Sequence, residues 1–355
     1  MRRVTTLASA LLAGALVLTA CGGSSTPSTD TTPGSSGSSS SAPKSDLKVG
    51  LAYDIGGRGD QSFNDAAAAG LDKAKADLGI ETKELEASNG EPESAKEERL
   101  RVLATAGYNP VIAVGFAYSG SVAKVAKEMP DTKFAIIDDA AAVGDNIANL
   151  LFASEQGSYL VGVAAALKTK TNNIGFVGGV DVPLINTFQA GFEAGVKATN
   201  PKAKVQVKYL TQPPDFSGFG DPAKGKTAAA GMFDAGADIV FQVAGGSGGG
   251  VFEAAKAAGG KAIGVDSDQY LTAAPDQKPL ILTSMIKRVD TAVYKAIQQT
   301  GDGSFKGGGQ VFDLAHQGLD YSKSNSKLMT PDIIAALELY RQDIINGTIK
   351  VPEKP

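Results

Sequence analysis

Short apolar runs rich in β-forming residues recur along this chain, and helical patterns fill most of the gaps between them. The runs fall at 48–53, 83–87, 110–116, 133–138, 147–153, 173–178, 205–210, 238–244, 261–265, 281–286 and 310–315. Helical spacing is read over 91–106, 117–129, 155–168, 184–199, 221–235, 247–258 and 288–300. This alternation leaves few folds open. It predicts βαβ units, whose parallel sheets carry helices on both faces. So many parallel strands in about 300 residues suggest two α/β lobes rather than one oversized sheet. The natural seam lies near 153–156, where Phe152-Ala153 runs into Glu155 and a new helix. The two halves share this grammar without an exact repeat.

The N-terminus reads as an address, not as part of the fold. Arg2 and Arg3 precede an apolar run from Val4 to Ala20, the pattern of a secretory signal peptide over 1–20. Leu18-Thr19-Ala20-Cys21 matches a bacterial lipobox, so Cys21 is expected to be lipidated and to hold the chain on the extracytoplasmic face of the cell membrane. Cys21 is the single cysteine, so no disulfide is expected within the chain. Residues 21–45 are Ser, Thr, Gly and Pro with almost nothing apolar, and are expected to form a disordered tether. The formal net charge is −4, and two more negative once Arg2 and Arg3 leave. No basic stripe with interleaved aromatics appears, which excludes nucleic acid as a partner.

The organising stretch is Lys48 to Asn64: a strand, a loop with three glycines and a helix start. In open α/β sheets ligands bind beyond the carboxyl ends of strands. Asp54 and Phe63 therefore stand where a polar group and a flat apolar group meet a small molecule. Other strand ends repeat the theme with Asp138-Asp139, Gly178-Gly179-Val180-Asp181, Gly245-Gly246-Ser247, Asp266-Ser267-Asp268 and Lys287-Arg288. Acidic side chains and bare backbone thus gather on both halves, as the walls of a cleft would.

Several motifs in fixed order carry a resemblance. They are the lipobox, Gly50-Leu51-Ala52-Tyr53-Asp54 with Asp60-Gln61-Ser62-Phe63-Asn64, and Ala135-Ile136-Ile137-Asp138-Asp139. Downstream come Glu155 to Gly162, Phe188 to Gly195, Gly245 to Gly248, Gly264 to Asp268 and Ser284 to Lys287. From about 47 to 350 the chain resembles the basic membrane protein (PnrA-like) family, substrate-binding lipoproteins of ABC importers. The resemblance implies a type I periplasmic-binding-protein fold, with two doubly wound parallel-sheet lobes joined by crossover strands. The expected lobes are 46–153, completed by part of 262–310, and 154–261, completed by part of 311–355. It also implies a purine nucleoside (adenosine, guanosine or inosine) as ligand, an ABC permease in the membrane as partner, and a monomeric receptor. Two departures bear on which nucleoside is taken: Arg58, and the Pro- and Gly-rich segment 213–219.

The resemblance gives the site residues their roles. Asp54 accepts hydrogen bonds from the base edge; the alternative is a loop-capping aspartate. Phe63, beside Asn64 at a helix start, and Phe219, flanked by glycines, become the two faces that stack on the base. For Phe63 the alternative is a core aromatic. Asp138 faces the cleft, with Asp139 its rival. Asp266 and Lys287 read the ribose hydroxyls, unless they pair with each other. Gly245 and Gly246 let backbone N–H groups approach, although the run to Gly250 also reads as a turn into a helix. No cofactor and no covalent chemistry are expected.

Three motifs are set aside. Gly220 to Thr227 spells a Walker A motif, but no buried strand runs directly into it. Arg58-Gly59-Asp60 spells an adhesion tripeptide, a match too short to carry weight. His316, the single histidine, has no cluster for metal or triad chemistry and reads as structural. The rival functions are a sugar receptor of the same fold, a sensing lipoprotein that feeds a signalling receptor, and an exported nucleoside-processing enzyme. Against the last stand the lack of a cysteine nucleophile and of a histidine near the acids.

Overall fold

The first strand, β1 (Lys48–Ala52), is buried from Val49 to Ala52, as a strand covered on both faces must be. A computed structural model describes residues 45–355. The expected signal peptide, Cys21 and the tether up to residue 44 lie outside the described residues. After β1 the chain forms α1 (Phe63–Leu78), β2 (Glu81–Leu85), α2 (Glu93–Thr105), β3 (Val111–Ala113), α3 (Ser119–Glu128), β4 (Phe134–Ile137) and β5 (Ile147–Phe152). It then builds α4 (Ser154–Lys168), β6 (Asn173–Val180), α5 (Pro183–Thr199), β7 (Lys204–Thr211), α6 (Pro222–Asp234) and β8 (Ile239–Val243). Next come α7 (Gly248–Ala258), β9 (Lys261–Asp266), α8 (Gln269–Thr272) and β10 (Ile281–Lys287). The chain ends with α9 (Val289–Gly301), β11 (Gly308–Phe312), β12 (Leu319–Tyr321) and α10 (Pro331–Ile345).

Two six-stranded sheets result, ordered β11-β5-β4-β3-β1-β2 and β12-β10-β9-β8-β6-β7. Each is parallel except at β12, which runs antiparallel to β10. The two orders are the same pattern, so β1, β3 and β4 correspond to β6, β8 and β9. Alternate residues of one strand feed opposite faces. Ala135 and Ile137 pack with α1 and α9, while Phe134 and Ile136 pack with α2 and α3. In the second sheet Phe176 and Phe241 join α4 and α5, while Val177 and Val240 join α6 and α7.

The chain crosses between the lobes at Ala153, at Arg288 and over 313–318. The boundary expected at 261 therefore moves. β9 pairs with β8 and β10 with β9, which carries the second lobe to Lys287. From 262–310 the first lobe takes only α9, which packs on α1, and most of β11, which pairs with β5. The apolar runs of β9 and β10 suit any parallel sheet, so the sequence does not say which sheet holds them.

The glycines of two family motifs have a packing role. Along α4 and α5, a Cβ on Gly191 would strike the Glu155 carbonyl and one on Gly195 the Tyr159 carbonyl. Only bare backbone allows these helices to lie so close. The stretches Glu155–Gly162 and Phe188–Gly195 are thus first of all a helix–helix seam.

Candidate functional site

The loop from Asp54 to Ser62 is held by its own aspartate. Asp60 Oδ1 accepts from the Ser62 N–H (2.8 Å) and the Asp65 N–H (3.1 Å), and Oδ2 from the Asn64 N–H (2.9 Å). That pins the start of α1 and sets Phe63 at its first residue. Asn64 is 1% exposed and uses both ends of its amide on this loop. Its Oδ1 accepts from the Asp54 N–H at 3.0 Å, and its Nδ2 donates to Asp60 Oδ2 at 3.0 Å. Asn64 therefore fixes Asp54 in place. Arg58 pairs with Asp72 and Glu84 on the outside of the loop.

Between the lobes lies a cavity lined by both of them. The first lobe lines it with Asp54, Asp60, Phe63, Asn64, Phe116 and Asp138. The second contributes Phe188, Phe219, Gly245, Asp266 and Lys287, with Leu184, Ile185, Val243 and Val265 as apolar wall. Of the residues nominated from the sequence, Asp54, Phe63, Asn64, Asp138, Phe219, Gly245, Asp266 and Lys287 share this one cavity. Gly246 does not: it packs toward the Phe219 carbonyl and Asp60, outside the lining. Gly245 and Ser247 form a short 3₁₀ turn that leads into α7, so the glycine run is a turn into a helix.

One end of the cavity is charged. Lys287, 2% exposed, is ion-paired with Asp138, whose side chain is 5% exposed. Asp266 is close enough to feel the Lys287 charge, but its hydrogen bond comes from Ser62 Oγ at 2.6 Å. The expected alternative, a simple Asp266–Lys287 pair, is replaced by a pair that spans the lobes. The Lys287 ammonium also lies over the rings of Phe63, Phe152 and Phe188, at 5.1, 5.0 and 5.5 Å. The second oxygen of Asp138, Oδ1, is buried without a hydrogen-bond partner. Its neighbour Asp139 instead accepts the Ala142 N–H at 2.8 Å and closes a turn. Asp138 directly follows β4 and Asp266 ends the corresponding strand β9, and both have φ +63°, a left-handed conformation that Asp tolerates better than most residues. Each lobe thus turns an equivalent carboxylate into the cleft.

Asp54 stands apart from that group. Its Oδ1 accepts the Ile55 N–H at 2.7 Å, and burial pushes its carboxyl up to about 6. Burial also pushes Asp266 up to about 6, against the pull of Lys287 and Ser62. Phe116 meets Phe219 edge-on at 6.5 Å between centroids, and meets Phe216 at 5.9 Å. Sequence reasoning missed Asp60, Phe116 and Phe188 as lining residues. Phe188 carried a faint signal: it lies four residues before Phe192, and one of the pair faces the cavity while the other fills the core.

The motifs set aside have ordinary structural places. Asp221 caps α6 by accepting the Lys224 N–H, and the Walker-like segment follows a 3₁₀ turn rather than a strand. His316 is exposed and bonded to Asp313. Among the described residues no acidic, histidine or cysteine cluster has the makings of a metal site, and no helix is long and apolar enough to cross a membrane.

Known proteins share this architecture. The model of a family described as ABC transporter substrate-binding protein PnrA-like (Bmp) matches residues 47–355. A "CD4+ T-cell-stimulating antigen" of Listeria innocua is 38% identical, with 98% of this chain and 97% of that protein covered. An "ABC transporter nucleoside-binding protein BmpA" of Lactococcus lactis is 35% identical over 88% of this chain and 90% of its own length. A solved solute-binding protein of an ABC transporter system from Aeropyrum pernix superposes with a TM-score of 0.75 at 30% identity, covering 86% of this chain and 94% of that one. Two matching sheets, a cleft between them and a family match along the whole described region agree: the chain belongs to the PnrA-like family of ABC transporter substrate-binding proteins.

Proposed function

We propose that this protein is a lipid-anchored extracytoplasmic receptor that captures a purine nucleoside in the cleft and presents it to an ABC permease. The observation that carries the reading is the make-up of the cavity. One lining brings together the Asp54 carboxylate, aromatic rings from both lobes, and the Asp138–Lys287 pair with Asp266 beside it. A purine nucleoside offers a partner for each: a base edge rich in N–H groups, a flat π-face and a ribose with two adjacent hydroxyls.

In this reading Phe63 and Phe219 sandwich the base, a contact worth about 1–3 kcal/mol per stacked base. Asp138 Oδ1 and Asp266 accept from the ribose hydroxyls, and Lys287 donates to one. Asn64 acts through Asp54 rather than on the ligand. Gly245 brings backbone to the base without a side chain. The binding unit is a monomer, since both walls come from one chain. The anchor is the lipid on Cys21, in keeping with the lipobox.

A thermal-shift panel on ligand-stripped protein tests this with adenosine, guanosine, inosine, uridine, ribose and galactose. Purine nucleosides are expected to raise the midpoint and the free sugars to leave it unchanged. Stabilisation by the sugars alone would replace the nucleoside reading with a sugar receptor of the same fold.

A further inference from the structure

A second cavity shares Asp54 and Ile55 with the first. It too lies between the lobes. The first lobe supplies Ala87, Lys96 and Tyr118, and the second supplies Phe216. The partition between the cavities is thin. Phe116 lines the first, Phe216 lines the second, and the two rings touch edge to face. The annex borders Asp54 and is lined by none of Asp138, Asp266 and Lys287.

Resting on the nucleoside reading above, we infer that the annex receives a substituent carried by the exocyclic nitrogen of the purine, so that the receptor takes base-modified nucleosides as well as plain ones. A base whose N–H edge meets Asp54 aims any group on that edge past the carboxylate and into the annex. The walls there suit a neutral group. Tyr118 and Phe216 supply ring surface, and Ala87 and Ala117 leave room. Besides Asp54, three charged residues line the annex, and each is already engaged; Asp215 accepts the Ser217 N–H at 2.9 Å. Lys96 donates to the Ala117 carbonyl at 3.0 Å and pairs with Glu93, and Glu91 is tied to Arg99.

Calorimetric titration of the full chain with adenosine and with N6-benzyladenosine tests the inference. The benzyl compound is expected to bind within about tenfold of adenosine. The Ala87→Phe variant, which fills the annex without touching the first cavity, is then expected to weaken the benzyl compound by about tenfold or more while adenosine binds as before. A larger loss for the benzyl compound in the unmodified chain would overturn the inference and leave the nucleoside reading standing. So would equal weakening of both ligands by Ala87→Phe. If adenosine itself fails to bind, the nucleoside reading falls, and this inference with it.

Discussion

Asp54 and the two phenylalanines are where the account is most exposed to test. Asp54 sits at about 6 because burial disfavours its charge. A base N–H donates to the ionised form, so nucleoside affinity should fall by up to about tenfold per pH unit below 6 and level off above it. Titrations between pH 5 and 8 read this directly, and Asp54→Asn should remove the Asp54 share of the slope. Asp266, also at about 6, supplies the rest. On stability the same raised values act in the opposite sense. Their contribution is full below the ordinary aspartate range and is lost as pH rises through about 6. The unliganded protein should therefore gain from these two groups on mild acidification, while ligand affinity declines. Phe63→Ala and Phe219→Ala should each weaken nucleoside binding by about 1–3 kcal/mol with little change in the unfolding midpoint. Equal loss of stability and affinity would make them core residues instead. Most of these positions were legible because a charged or aromatic residue at a strand end or in a glycine loop is out of place in a core. Asp60 was hidden by its role as loop organiser, and Gly246 was overcalled because adjacent glycines look alike in sequence.

Among the elements, the α4–α5 seam turns family motifs into packing. Gly195→Ala places a methyl group on the Tyr159 carbonyl and should cost about 1–3 kcal/mol of stability. Denaturant unfolding measures it, and an unchanged midpoint would mean the helices part without cost. The strand–helix alternation was legible because parallel strands buried on both faces leave unbroken apolar runs. Three elements were not, the four-residue α8 among them. β12 spans three residues, and its antiparallel pairing with Met285–Lys287 depends on a partner far away in sequence. α10 buries Ile333, Leu337 and Ile344 but exposes Leu339 at 70%, which blurs its apolar stripe. The boundary at 261 failed for a related reason. The chain returns to the first lobe through Arg288, and a crossover leaves no mark in composition.

For the whole molecule, the described conformation is one with the lobes in contact. Gln269 Nε2 donates to the Gln61 carbonyl, and Ser267 Oγ to the Ser62 carbonyl, both at 3.0 Å. The Asp138, Asp266 and Lys287 side chains are buried at this contact, so a ligand is expected to reach them when the lobes part about the three crossovers, by hinge motion of the kind common in such receptors. Solution scattering should show the ligand-stripped chain with a larger radius of gyration than the nucleoside-bound chain. An identical radius would place ligand entry elsewhere. The shared strand order explains why equivalent carboxylates, Asp138 and Asp266, face each other across the cleft. The sequence shows the same grammar in both halves but not the pairing of the sheets.

The most direct test of the central claim is a calorimetric titration of ligand-stripped protein with inosine or adenosine at neutral pH, alongside ribose and galactose. Saturable one-to-one binding of a purine nucleoside is expected, with no heat from either sugar. Saturation by a sugar, with no response to any purine nucleoside, would contradict it.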